Sequence, residues 1–292
     1  MPPTLTRSQI NRLGERLRRS EPPSEDDIRA LQDLRAEYFA PMNAVQQILR
    51  ERLGLSSTSR LKTDTTILEK LRRDRTRLAT MQDIAGVRIW GNYSLDEQTT
   101  MGERIAETFP VAEIDDLRPH PHFGYRAIHV IVHSDGFPVE IQLRTQRQQR
   151  WAETAEKFAD RFGRGIRYGA ALTFVDSDGE PVREDADPLR LLMKIAVDIA
   201  KFEADLEDVQ AQRRRISDQR AEMQAFRSQI APLPPEKSKE GQNLAANSER
   251  ILDEHQSALD RRESILAELG DLFETTLATL ATISEAIESD ER

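Results

Sequence analysis

Two carboxylates, a few cations and one tyrosine stand out in this chain because packing alone does not call for them. Asp83 lies in Gln82-Asp83-Ile84-Ala85-Gly86-Val87-Arg88-Ile89, at the mouth of an apolar run of strand type whose small Ala85-Gly86 pair allows close backbone approach. Glu140 lies in Val139-Glu140-Ile141-Gln142-Leu143-Arg144-Thr145, where Val139, Ile141 and Leu143 alternate with Glu140, Gln142 and Arg144. One face of that strand is therefore wet or functional. Across the turn Ser134-Asp135-Gly136-Phe137 a partner strand carries His129, preceded by Gly124-Tyr125-Arg126. A third segment runs Ser59-Arg60-Leu61-Lys62 and on to Thr66 and Lys70. Its helical spacing gathers two ammonium groups and a hydroxyl near a helix N-terminus, where a phosphate chain also gains from free backbone donors. Taken alone, such a run is equally a solvated basic face, and a carboxylate beside an arginine is more often a structural pair than a metal site. Two carboxylates from separate strands beside a basic cradle are another matter. Mg²⁺ is typically held by one or two carboxylates plus the phosphates of a nucleotide.

The elements that must position these groups follow from the pattern. A short helix over 7–20 stops at Pro22-Pro23, and Ser24 followed by three acids caps a helix that runs to Leu53, with a kink at Pro41 and a stop at Gly54. An extended step at Ser59–Lys62 leads into a helix capped by Thr63 and Asp64 and ending near Asp74. Strands are expected at Ile84–Trp90, Val111–Ile114, Ala127–His133 and Pro138–Leu143, with helices over Ser94–Phe109 and Thr145–Phe162. The fold class is α+β, a small mixed sheet flanked by helices. Beyond Leu189 the chain turns helical. Leu192, Ile195, Ile199, Phe202, Leu206, Val209, Ile216 and Met223 form one seam, with Arg213 and Arg220 in its missing positions. After a linker at 231–245, Ile251, Ala258, Ile265, Leu269, Leu272, Leu280, Ile283 and Ile287 form another. This predicts an antiparallel helical hairpin or coiled coil with arms on the order of 60 Å. The division is 1–54, N-terminal helices; 55–170, core; 171–188, acidic connector; and 189–292, helical extension.

Composition bounds the function. The chain has 292 residues, 38% apolar and 32% charged, without a single cysteine. That excludes a disulfide scaffold, a thiolate zinc site and a cysteine nucleophile, and it suits a reducing compartment. No apolar run reaches the roughly 18–20 residues of a membrane span, and Met1 to Arg19 lacks the apolar core of a secretory signal. A soluble, cytoplasmic protein with no membrane partner is expected. The net charge of −9 discourages a generic nucleic-acid coat, but residues 171–292 hold 27 acids and 15 bases against 24 and 27 in residues 1–170. Both tryptophans and all four tyrosines also precede residue 171. The first part is expected to be the compact domain, and the acidity belongs to the second.

In order, Arg60-x-Lys62, Thr66-Ile67, Glu69-Lys70-Leu71, Asp83-Ile84-Ala85-Gly86-Val87-Arg88, Gly124-Tyr125-Arg126-Ala127-Ile128-His129 and Val139-Glu140-Ile141-Gln142-Leu143-Arg144-Thr145 resemble the RelA/SpoT alarmone synthetase domain, over roughly residues 30–170. The resemblance implies a nucleotidyltransferase-like fold and Mg²⁺-dependent transfer of pyrophosphate from ATP to the ribose 3′-hydroxyl of GDP or GTP, making (p)ppGpp. By position it implies that Asp83 and Glu140 are the catalytic, metal-binding carboxylates, Glu140 also helping to activate the 3′-hydroxyl. Arg60, Lys62, Thr66, Lys70 and Arg88 take the ATP side. Tyr125 would stack on the acceptor base, with His129 near the acceptor phosphates and Gln142 and Arg144 beside them.

Departures from the family pattern carry information too. The five histidines stand at 120, 122, 129, 133 and 255, so the His-Asp metal motif of the long bifunctional relatives has no counterpart, and a short, synthetase-only member is expected. Where many relatives place a lysine and an asparagine before the Gly-Tyr, this chain has Arg118-Pro119-His120-Pro121-His122-Phe123. The acceptor pocket is thereby altered. Some short members are toxins that pyrophosphorylate the 3′ end of tRNA, and Arg144, Arg147, Arg150, Arg161, Arg164 and Arg167 offer a basic stripe for such an acceptor, or a solvated helix paired with Glu153, Glu156 and Asp160. A third reading is an inactive domain kept for partner binding. The helical extension would then serve homo-oligomerisation, or docking of an antitoxin or regulator.

Overall fold

The computed structural model describes residues 3–162 and 188–289. Nearly all of the acidic connector, Arg164 and Arg167, and the side chains of Arg161, Ile283 and Ile287 lie outside the described residues. The chain forms two compact units, Met1–Gln149 and Arg150–Arg292.

In the first unit, helices start where short polar side chains can satisfy the free N–H groups of the first turn. Thr6 and Gln9 form a capping box for α1 (Arg7–Arg19), Ser24 caps α2 (Glu25–Glu37), Thr63 caps α4 (Asp64–Asp74), and Ser94 with Glu97 boxes α5 (Leu95–Thr108). Between α2 and α4 lie α3 (Phe39–Leu53), closed by Gly54 at φ 68°, and β1 (Thr58–Leu61). The single helix expected over 24–53 is two helices, divided at Tyr38. Proline lacks an N–H and clashes with the carbonyl four residues back, so Pro41 forbids a continuous helix through Glu37 and sits instead in the first turn of α3.

The sheet adds β2 (Ala85–Gly91), β3 (Ala112–Asp116), β4 (Ile128–Ser134) and β5 (Phe137–Thr145), in the order β1-β2-β5-β4-β3. Only β2 and β5 are parallel. Asp135 and Gly136, at φ 51° and 85°, make the two-residue turn between β4 and β5, a backbone that twists with the strands it joins. One sheet face carries Val87, Ile89, Ile128, Val130, Val132, Val139, Ile141 and Leu143, all buried in the core with Leu49, Val45 and Ile105 from α3 and α5. The opposite face carries the polar residues. At the edge of this unit α1 lies tightly on a 3₁₀ turn, Leu78–Thr80: a Cβ on Gly14 would stand 2.7 Å from Leu78 Cβ. Gly14→Val therefore forces the two segments apart, at a cost of about 1–3 kcal/mol. A drop of several degrees in the thermal midpoint, followed by circular dichroism, is the expected result.

In the second unit, α6 (Gln146–Phe162), which begins in the first, is tied to α7 (Pro188–Ile230) by Trp151 Nε1 donating to Leu192 O at 2.9 Å. α8 (Pro235–Ser289) runs antiparallel to α7, as Phe202 against Phe273 (5.7 Å) and Arg227–Glu249 (2.8 Å) show. The linker is shorter than expected. Pro235 starts α8 as a first-turn proline, and Gly241 lets Ile230 come close, so only 231–234 turn the chain. Arg213 and Arg220, in the gaps of the apolar seam, reach Asp260 and Glu263 (2.5 and 2.6 Å) and Asp253 (2.7 Å) on α8. The α8 seam itself needs correction. Ile251, Ala258, Ile265 and Leu272 are exposed, and the buried row lies one residue further on, at Ala245, Leu252, Leu259, Leu266, Phe273 and Leu280. Both rows repeat every seven residues, so periodicity alone gives the repeat but not the row that meets α7. No described helix is long and apolar enough to cross a membrane.

Candidate functional site

Strand register lays out the polar face. Arg60 pairs with Gly86, and Gly86 with Glu140; one step along, Arg88 pairs with Gln142 and Gln142 with His129; then Trp90 pairs with Arg144. Residues in register project to the same side of a sheet, so these seven positions with side chains share one face. The β1–β2 pairing continues one residue further, with Lys62 N donating to Ile84 O at 2.9 Å. That bond sets Lys62 beside Asp83. The Thr63 cap then turns the chain into α4, two turns along which Lys70 returns to the same carboxylate.

Asp83 Oδ2 accepts from Lys62 Nζ at 2.6 Å and from Lys70 Nζ at 2.7 Å. Burial would raise the Asp83 pKa, but the charges and hydrogen bonds of the two lysines outweigh it and hold the carboxyl below its ordinary value. Oδ1 of the same carboxylate is buried and has no hydrogen-bond partner. Thr66 does not join this cluster; its hydroxyl bonds Thr63 O at 2.9 Å and lies 3.0 Å from Thr63 Oγ1, inside the helix cap. Nor does Gly86 serve a close approach, since a Cβ there would meet only Arg60 O, at an ordinary 3.6 Å.

The second cluster is a chain of hydrogen bonds on β4, β5 and the loop before β4. Glu140 Oε1 lies 3.2 Å from His129 Nδ1, and Oε2 accepts from Gln142 Nε2 at 2.6 Å. His129 Nε2 is 2.8 Å from the Tyr125 hydroxyl, which also accepts from Arg144 Nη2 at 2.8 Å. Arg144 further donates to Gln142 Oε1 (2.8 Å) and Gln149 Oε1 (2.7 Å), and its guanidinium lies 4.9 Å from the centre of the Tyr125 ring. Burial disfavours the charged forms of both His129 and Glu140, yet each stabilises the other's charge. The imidazole is pushed up to about 9 and the carboxyl falls below its usual range, although the Asp83 charge pushes the latter the other way. At neutral pH this is an imidazolium–carboxylate pair, and both ring nitrogens of His129 are spent on the protein.

The sequence did not single out what holds the Tyr125 loop. Leu117 N donates to Ala127 O at 3.0 Å and closes its base, while Arg118 bonds Asp116 (2.7 Å), Thr99 (2.8 Å), Leu95 O (2.9 Å) and Gln98 Oε1 (3.2 Å). Gln98, fully buried, passes the connection to Leu143 O and Gln148, each at 2.9 Å. The Asp116-x-Arg118 spacing was the only available signal. Gln98 and Gln148 had none, because a polar residue on an amphipathic helix reads as solvated.

Among the described residues no three His, Asp or Glu side chains form a ready metal cage. A magnesium ion that arrives with phosphates needs less. The unpartnered Asp83 Oδ1, with Glu140 near enough for the two charges to repel, fits such an ion.

Residues 59–159 match the family described as "Region found in RelA / SpoT proteins". Uncharacterized proteins of Mycobacterium tuberculosis and Mycobacterium bovis are 51% identical over 114 residues, 38% of this chain and 42% of theirs, so the chain spans well under half the length of these relatives. Among solved structures, small alarmone synthetase 1 of Bacillus subtilis aligns with 62% of this chain and 97% of its own at 22% identity, TM-score 0.46. A GTP pyrophosphokinase family protein of Streptococcus pneumoniae aligns with 59% and 92% at 20% identity, TM-score 0.42. The complex of the Type VI effector Tas1 with its immunity protein aligns with 68% and 99% at 15% identity, TM-score 0.37. Both carboxylates, both lysines and the whole Tyr125–Arg144 relay fall inside the matched segment, which marks residues 59–159 as a RelA/SpoT region.

Proposed function

We propose that this protein is a magnesium-dependent pyrophosphokinase that moves the β,γ-pyrophosphate of ATP to a nucleotide ribose 3′-hydroxyl, with GDP or GTP as acceptor. The observation that carries this reading is the buried, unpartnered oxygen of Asp83 beside two lysines, one strand away from Glu140. Lys62 and Lys70, with Arg60 and Arg88 on the same side of the sheet, supply the positive charge that a triphosphate requires. Asp83 and Glu140 would hold the magnesium ion, which neutralises charge on the donor phosphates. Phosphoryl-type transfer asks mainly for positioning and charge stabilisation. Glu140, held ionised by His129, accepts the hydrogen bond of the incoming 3′-hydroxyl and so fixes its direction; its depressed pKa makes it a weak base that takes the proton late. Arg144 covers one side of the Tyr125 ring, which leaves the other for the acceptor base.

A tRNA 3′ end is the second reading. Trp90 and Phe123 are 41% and 38% exposed, Trp90 on the polar sheet face and Phe123 two residues before Tyr125. Such rings stack successive bases of a single strand at about 1–3 kcal/mol each. Incubation with γ-labelled ATP and either GDP or deacylated tRNA separates the two. Label entering the free nucleotide supports the first reading, label in tRNA the second, and label in neither with magnesium present rejects both.

A further inference from the structure

Arg118 stands at the start of the loop that carries Tyr125, and its side chain is only 11% exposed. A guanidinium has five N–H donors, and here all five are engaged within the protein. Nε donates to Asp116 Oδ1 at 2.9 Å, Nη1 to Leu95 O at 2.9 Å and Gln98 Oε1 at 3.2 Å, and Nη2 to Thr99 Oγ1 at 2.8 Å and Asp116 Oδ2 at 2.7 Å. No donor is left for a phosphate. This arginine is a clamp between the end of β3 and the N-terminal end of α5.

The clamp reaches the strand that carries Glu140. Gln98, fully buried, donates to Leu143 O at 2.9 Å, and the next residue of β5, Arg144, donates to the Tyr125 hydroxyl at 2.8 Å. The base of the loop and the ring it presents are thus fixed to consecutive residues of one strand. Between them the backbone has little freedom, because Pro119 and Pro121 each lock a φ, Tyr125 N donates to His122 O at 3.0 Å, and Phe123 and Gly124 close that turn at φ 49° and 80°. A left-handed φ is rare for a residue as bulky as phenylalanine and persists only where its surroundings over-determine it. A loop held in this way before any ligand arrives is pre-organised, and binding then bears less of the cost of ordering it.

We infer that Arg118 is a positioning residue for the acceptor: it holds the 117–127 loop, and with it Tyr125, in the conformation that receives the acceptor base, without touching the acceptor itself. The inference rests on the proposed function, in which Tyr125 stacks on that base. Apparent affinity falls with the fraction of loops in the competent conformation, so a variant with about one loop in ten ordered binds the acceptor about tenfold more weakly. Arg118→Met keeps the length of the side chain without its donors. It should raise the KM of whichever acceptor takes the label at least about tenfold, while kcat stays within about threefold and the Kd of ATP is unchanged. Arg118→Lys should not rescue it, because an ammonium cannot fork to Asp116, Gln98 and Thr99 at once. Hydrogen exchange on the nucleotide-free full chain should show the Leu117 and Tyr125 amides protected in the parent and exchanging at least about tenfold faster in both variants. If the Arg118 variants do not fold, Thr99→Val, on an exposed face of α5, removes one of the five bonds and should raise the acceptor KM about threefold with ATP binding unchanged. A parent that labels neither acceptor removes the proposed function and the inference with it. A parent that transfers label, with variants whose acceptor KM is unchanged or whose kcat and ATP affinity fall as far as acceptor affinity, overturns the inference alone.

Discussion

Asp83→Asn lowers pyrophosphoryl transfer by at least about 10³-fold, measured as label moved from γ-labelled ATP, because it removes charge from a buried carboxylate whose Oδ1 has no hydrogen-bond partner. Asparagine keeps size and shape, so packing is unchanged. What it loses is the ability to hold a divalent cation and to balance Lys62 and Lys70, which now donate to a single carboxylate oxygen at 2.6 and 2.7 Å. Two readouts separate this from general damage. In the parent, magnesium should tighten ATP binding; in the variant, that dependence should disappear. The second is acid stability. The Asp83 carboxyl titrates below 3.8 in the folded chain, so its ion pairs contribute stability above that value and lose it as the pH falls through the folded pKa. The variant should lack this acid limb. Full retention of transfer would remove Asp83 from the site.

Glu140→Gln lowers transfer about 10²–10³-fold and also moves the alkaline limit of the protein. His129 is raised from 6.5 to about 9, with Glu140 as its main favourable partner. A group whose folded pKa lies above its unfolded one contributes stability fully below the unfolded value and loses it as the pH rises through the folded value. In the parent the thermal midpoint should therefore fall between about pH 6.5 and 9, the range of that shift. Glu140, shifted the opposite way, contributes above 4.5 and loses its share as the pH falls through its depressed value. The two limbs belong to one ion pair. In the variant, burial without a carboxylate leaves His129 neutral at lower pH, so the alkaline fall between about pH 6.5 and 9 should shrink or vanish. An unchanged alkaline limb would show that the pair does not form.

Much of this was legible before any coordinates. The Asp135-Gly136 turn, the alternation along Val139–Leu143 and the caps at Thr6, Ser24, Thr63 and Ser94 are local signals, and local hydrogen bonding decides them. The positions of Asp83 and Glu140 followed from one carboxylate at a strand mouth and another on a wet strand face. Their placement by adjacent parallel strands, Asp83 two residues ahead of β2 and Glu140 on β5, did not, because strand order arises from how the sheet buries its apolar face and not from the residues that end up as neighbours. For the same reason Thr66 read as part of the phosphate cradle, although the backbone of its own helix turn claims the hydroxyl.

The sequence by itself determined the types of chemistry this protein could perform and the seven-residue period of its long helices. Only tertiary structure decided which partners the polar groups have: that both lysines meet one oxygen of Asp83, and that His129 bridges Glu140 and Tyr125. It also decided which of two equally periodic rows on α8 is buried against α7. A period is a property of one helix. The choice between rows is a free-energy difference between two packings, settled by the partner helix that supplies Phe202 for Phe273 and arginines for Asp253, Asp260 and Glu263.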